Sequence, residues 1–235
     1  MIKENILIDD IPAILWGEKS SKLFVAVHGN MSSKSDVPIA ILAEETIPLG
    51  YQVLSFDLPK HGDRKEEPTL CKAQNCIADL EKVMRFAKMQ TNTISIFANS
   101  MGAYFSLLAY KNELLKQSLF LSPIVDMERI ITNMMKWLNI TQERLEKEQE
   151  IATSIGHTLY WDYYQYVKQN PITKWANPTS ILFGKKDNLC EYDVVQSFVT
   201  AFNCNFEIAE NAEHYFHTDD DLKIYRSWIK KQIIK

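Results

Sequence analysis

The chain is short of several things at once, and each shortage removes a class of function. No stretch of its 235 residues approaches the ~20 consecutive apolar residues that a membrane span requires. The opening MIKENILIDDIPAILWG lacks the basic start and unbroken apolar region of a secretory leader, because Asp9, Asp10 and Pro12 interrupt it. Cysteine is sparse: Cys71, Cys76, Cys190 and Cys204 are scattered without metal-ligand spacing. Cys71 and Cys76 fall within one predicted helix with four residues between them, which fits no common zinc motif. In a chain of this length the four read as reduced core thiols rather than a disulfide framework, and the expected compartment is the cytoplasm. Neither sign of charge dominates, with 26 Lys and Arg against 30 Asp and Glu for a net charge of −4. No basic stripe stands out, so neither nucleic acid nor a membrane is expected as a partner. Repeats, low-complexity segments and flexible linkers are missing too.

What remains is 46% hydrophobic and 24% charged, ample for one well-buried core. Two short strands, 4–9 and 11–17, open the chain around an Asp9-Asp10 turn. KLFVAVHG (22–29) and YQVLSFDL (51–58) are continuous apolar runs of the kind that suit strands covered on both faces. Helical spacing appears at 35–48 and 69–90. The alternation continues with a strand at 93–100, a helix at 102–113 and a strand at 117–123. After a gap come a strand at 179–187, a helix at 191–202, a strand at 205–210 and a last helix over roughly 219–234. That helix opens on three acids, Asp219 to Asp221, which suit the positive end of its dipole. Strands alternating with helices imply right-handed βαβ units, so the fold class is α/β: a mostly parallel sheet flanked by helices, with the opening hairpin antiparallel at one edge. Residues 124–176 break the pattern, with helical character and no convincing strand. They read as an insertion over one end of the sheet, and the expected domain division is a core of 1–123 and 177–235 with a helical cap or lid of 124–176.

The sharpest local feature is Ala98-Asn99-Ser100-Met101-Gly102, which ends one predicted strand and opens a predicted helix. A sharp strand-to-helix turn lifts a serine oxygen above the sheet edge, small residues two before and two after let the turn pack, and the backbone N–H groups that follow favour negative charge. A nucleophilic serine needs a base, and the base needs an orienting acid. Asp187 follows the strand TSILFG and the Gly184 turn, at the sheet edge that also carries Ser100; Asp193 and Asp126 are rival acids. His214 lies in AEHYFHT after the last strand, with His217 as its rival in the same loop.

Taken in order, Val27-His28-Gly29-Asn30, Asp57…His61-Gly62, the Ser100 pentapeptide, Gly184…Asp187 and Glu213-His214 resemble the α/β-hydrolase superfamily over nearly the whole chain. Ala98 and Lys60 stand where that family usually has glycine. The resemblance implies catalytic Ser100, Asp187 and His214, and an oxyanion hole made of the backbone N–H groups of Asn30 and Met101. It also implies structural rather than chemical roles for His28, Asp57 and His61. The activity it implies is cleavage of a small or medium acyl ester or thioester through an acyl-enzyme, with no metal and no cofactor. Acyltransferase, amidase and peptidase chemistry use the same triad, and a catalytically silent scaffold is the alternative from another class. Within the insert, Trp137, Tyr160, Trp161 and Tyr164 are the candidate lining of a substrate pocket. The oligomeric state is not legible.

Overall fold

The computed structural model describes residues 1–233; the last predicted helical residue, Ile234, lies outside the described residues. Strands β1 (Lys3–Ile8) and β2 (Ile11–Trp16) form the opening hairpin, followed by β3 (Lys22–Val27), helix α1 (Val37–Thr46) and β4 (Gln52–Phe56). Helix α2 (Ala73–Gln90), β5 (Thr93–Asn99), α3 (Met101–Ala109) and β6 (Ser118–Leu121) come next. The segment after β6 holds α4 (Met127–Trp137), α5 (Gln142–Glu148), β7 (Glu150–Ala152), β8 (Thr158–Tyr160) and α6 (Trp161–Gln169). The chain then completes the fold with β9 (Thr179–Gly184), α7 (Tyr192–Phe202), β10 (Asn205–Ala209) and α8 (Asp219–Ile233).

Eight strands form one sheet in the order β1-β2-β4-β3-β5-β6-β9-β10. The six from β4 to β10 run parallel, and β1 and β2 add the antiparallel edge that the opening turn predicts. The apolar runs account for this arrangement: every residue of β4 and β9 is buried, as expected of strands covered on both faces. One face packs α2, α3, α7 and residues from the segment between β6 and β9, around Leu80, Val83, Phe105 and Phe198. The other packs α1 and α8 around Leu42, Tyr225 and Trp228. Helix α8 starts on a reciprocal cap, in which the Thr218 N–H donates to the Asp221 carboxylate and the Asp221 N–H to the Thr218 hydroxyl, both at 3.2 Å.

The sequence reading is corrected in two places. The segment 124–176 is not purely helical, since β7 and β8 pair antiparallel with Ile151 opposite Leu159. Strands of three residues are too short to show a period-2 pattern, so the hairpin leaves no signal in the sequence. Helix α2 starts at Ala73, which puts Cys71 in the approach to the helix and only Cys76 inside it. Among the described residues no helix is long and apolar enough to cross a membrane.

Candidate active site at the Ser100 turn

Ser100 joins β5 to α3 with φ 48° and ψ −121°, a conformation costly for any residue with a Cβ. The neighbours over-determine it. Its N–H donates to the Leu121 carbonyl at 3.0 Å, and its own carbonyl accepts from Ala103 and Ile124 at 3.1 Å. Two residues on, a Cβ at Gly102 would stand 2.5 Å from the His28 carbonyl oxygen, so only glycine lets α3 start this close to the end of β3.

The loops after β9 and β10 meet at the same sheet edge. Gly184 ends β9, and a Cβ there would lie 2.3 Å from the Glu213 carbonyl oxygen, directly beside His214. Backbone bonds from Lys185 to Ala209 and from Lys186 to Ala212 lace the two loops together. The Ser100 hydroxyl consequently lies 2.8 Å from His214 Nε2, and His214 Nδ1 donates to Asp187 Oδ2 at 2.7 Å. The Asp187 side chain is fully buried, and its other oxygen accepts from the Leu189 and Cys190 N–H groups at 2.8 Å. With the Nδ1 proton committed to Asp187, Nε2 is left as the acceptor facing the serine.

The rivals lie elsewhere. Asp193 is exposed in the first turn of α7, and Asp126 caps α4 by accepting from the Arg129 N–H. His217 faces away, donating to the Tyr215 carbonyl and stacked on the Tyr215 ring.

Across from the serine, the backbone N–H groups of Asn30 and Met101 donate to no protein group among the described residues. The Asn30 loop is propped by two histidines. His28 Nε2 accepts from the Leu58 N–H at 3.1 Å, which leaves the proton on Nδ1 to donate to the Gly29 carbonyl at 2.7 Å. Burial lowers the His28 pKa to about 4 and keeps the ring neutral. His61 sits 3.1 Å from the Asn30 side-chain oxygen. Asp57 is buried and accepts from the backbone N–H groups of Lys34 and Asp63 and from the Lys34 ammonium, the work of a turn anchor. Lys60, in the same turn, holds φ 65°.

Two cavities flank Ser100. The larger, about 470 Å³, is lined by Met101, Met127, Ile130, Ile131 and Met134 together with Leu159, Tyr160 and Tyr163. Lys60 brings the one ammonium to its lining, and no carboxylate joins it among the described residues. The second, about 440 Å³, is lined by Asn30, Ser32, Asp36, Asn99 and Tyr215, and it alone of the two reaches His214. Of the expected pocket aromatics only Tyr160 lines the larger cavity. Trp137 is 59% exposed at the end of α4, Tyr164 is 1% exposed in the core, and Trp161 packs half-buried against that core. Tyr160 ends β8 ahead of the helix, whereas within α6 the rotation that brings Tyr163 to the cavity puts Tyr164 about 100° further round. The wall that sequence reasoning missed is the stripe Met127, Ile130, Ile131 and Met134, whose i, i+3, i+4, i+7 spacing was there to be read.

Asp187, Cys190 and His214 bring potential metal-ligating atoms within 4.8 Å of one another. The carboxylate and imidazole are already bonded to each other, and burial pushes the Cys190 thiol far up, which makes it a poor ligand.

No family model matches the sequence, and no curated protein does. Solved structures do. The chain is similar to Est1E from Butyrivibrio proteoclasticus with ferulic acid bound, at 19% identity and TM-score 0.79 over 98% of each chain. It is similar to alpha/beta hydrolase domain-containing protein 10 from mouse, at 13% identity and TM-score 0.80 over 100% of this chain and 99% of that one. An esterase from Pyrococcus furiosus matches at 18% identity and TM-score 0.70 over 99% of this chain and 89% of its own. The likeness is one of fold: the chain has the α/β-hydrolase fold of these structures.

Proposed function

We propose that the chain is a serine hydrolase that cleaves carboxylic esters or thioesters through an acyl-enzyme on Ser100. The observation that carries this reading is the unbroken relay from the Ser100 hydroxyl through His214 to the buried Asp187, at 2.8 and 2.7 Å. Ser100 Oγ attacks the acyl carbon while His214 Nε2 takes its proton, and Asp187 stabilises the imidazolium that forms. The N–H groups of Asn30 and Met101 receive the oxyanion, an interaction of which each half is worth about 2.7–4 kcal/mol in enzymes of this kind. His214 then returns the proton to the leaving group, and water repeats the sequence to free the acid. An intact relay argues against a silent scaffold. Structural neighbours named as esterases are in keeping with the reading.

The two cavities orient the substrate. The leaving group must lie within reach of His214 Nε2, and only the second cavity reaches that residue. The acyl group therefore occupies the larger, apolar cavity, beneath residues 124–176 acting as a cap. Its size fits a medium acyl chain or a single ring system.

The test is intact mass after exposure to a fluorophosphonate, followed by peptide mapping. One adduct per chain on Ser100, lost in His214→Ala, is expected. A folded protein that takes no adduct and turns over neither acetyl nor longer-chain nitrophenyl esters would sink the proposal.

A further inference from the structure

The larger cavity has a second chemically distinct feature besides the Ser100 relay. Cys71 lies just ahead of α2 and lines the cavity beside Leu70 and His61. Cys76, in the first turn of α2, is fully buried behind it and does not line the cavity. Their sulfurs are 3.6 Å apart. We propose that Cys71 and Cys76 form a reactive dithiol, in which Cys71 captures small disulfides that enter the cavity and Cys76 resolves the adduct to an intramolecular disulfide.

The surroundings supply what such a pair needs. An attacking thiol must be a thiolate with access, and a resolving thiol must stand within reach and stay out of contact with the incoming molecule. Cys71 is the thiol with access, and its charged form is favoured by the hydrogen bond from Cys76, by contact with His61 and by Arg64; together these lower its pKa to about 6 against the opposing effect of burial. Burial and the neighbouring Cys71 push the Cys76 thiol up, so the shared proton sits on the inner sulfur. Burial opposes the charged form of His61, yet Cys71, the Pro59 carbonyl and Asp57 outweigh it and raise its pKa. The other two cysteines differ in each respect. Cys190 is buried, and Cys204, half-buried beyond α7, is pushed up to about 11; neither lines this cavity.

The chemistry balances without a cofactor. The Cys71 thiolate attacks one sulfur of the small disulfide, whose S–S bond breaks to release one thiolate that takes a proton from water. Cys76 loses its proton and attacks the Cys71 sulfur of the mixed disulfide, releasing the second thiol. One disulfide is consumed, two thiols are formed, and the protein loses two hydrogens. Closing the bond needs the sulfurs to approach by only about 1.5 Å, to the usual length near 2.05 Å.

The experiment uses the reduced full chain and hydroxyethyl disulfide, with quenching by acid and tryptic mapping. Lys72 lies between the two thiols, so trypsin places them on separate peptides and the closed bond appears as a linked pair. The expected result is a Cys71–Cys76 linked pair that forms at least about tenfold faster than any adduct on Cys190 or Cys204, and that dithiothreitol reverses. Cys76→Ser is expected to leave a stable hydroxyethyl adduct on Cys71, and Cys71→Ser to abolish both species. Should Cys76→Ser not fold, the linked pair and the relative rates in the unaltered chain decide the matter alone. Equal rates at Cys204, or an adduct on Cys71 that persists with Cys76 present, would overturn the proposal. Neither readout depends on ester turnover, so Ser100 chemistry and thiol chemistry stand or fall separately.

Discussion

On one side of Ser100 stand loops at the ends of β3, β5, β9 and β10; on the other stand α4, β8 and α6. The first wall is held by backbone hydrogen bonds between loops and by glycines at which a Cβ would meet a carbonyl oxygen at 2.5 Å or less. The Ser100, His214 and Asp187 side chains on it are hydrogen-bonded to one another at 2.7 and 2.8 Å. The second wall is made of methionine, isoleucine, leucine and tyrosine side chains. It is tied to the sheet domain by ion pairs at its periphery, Lys72 with Asp162 and Arg129 with Glu191, both at 2.7 Å. Exposed pairs of that kind contribute little. Under the proposed function, the difference teaches where each property of the site is stored: geometry for bond cleavage in the backbone of the first wall, selection among acyl groups in replaceable apolar volume on the second.

Substitutions can break that division. The largest effect is expected from Asp187→Asn, which removes the charge that fixes the His214 tautomer; kcat should fall by about 10⁴ with the fold intact by circular dichroism. A smaller loss there would mean that the first wall does not control the chemistry.

Acid should expose the same wall through His28. Its folded-state pKa, about 4, lies below the ordinary 6.5, so as pH falls the unfolded chain takes up a proton that the folded chain refuses. Stability from this residue is complete above 6.5 and declines as the pH drops toward 4, by about 3 kcal/mol in all. Urea unfolding across that window should show the decline in the unaltered chain and a shallower one in His28→Asn.

The second wall should answer differently. Met127→Ala and Ile131→Ala are expected to lower kcat/KM for longer acyl esters by about tenfold each while leaving an acetyl ester within about threefold. A uniform loss across the chain-length series would show that the two walls are not separable. A stability readout sharpens the comparison from another side. Ser100→Gly relieves a backbone strained at φ 48° and should raise stability by about 1–3 kcal/mol while abolishing turnover, read as a higher midpoint in thermal unfolding.

The same division explains what the sequence made legible. Ser100, Asp187 and His214 stand out because few residue types can occupy those junctions, and each sits where a buried strand stops. Gly102 and Gly184 are legible for the same reason. The second wall resists reading because many apolar residues would serve, and because α6 gives no hint of which aromatic stripe faces inward until its rotation is known. Tyr160 and Tyr164 look alike in sequence and end in different places, one on the cavity and one in the core. The β7–β8 hairpin is hidden because three-residue strands show no period-2 pattern, and the approach of Cys71 to Cys76 depends on where α2 begins, a boundary that helical periodicity does not locate to the residue.

Lys60 has one more consequence, for product release. An ester is neutral at the bond that is cut, whereas the acid it yields is an anion at neutral pH. Under the proposed function, the cavity that takes the acyl group carries the Lys60 ammonium and, among the described residues, no carboxylate on its lining, so the ammonium attracts the occupant once it becomes an anion, against the opposing field of the Cys71 thiolate. Such a site holds its product more firmly than its substrate. Turnover should then slow as free acid accumulates, added salt should relieve the slowing by screening, and Lys60→Gln should remove most of it.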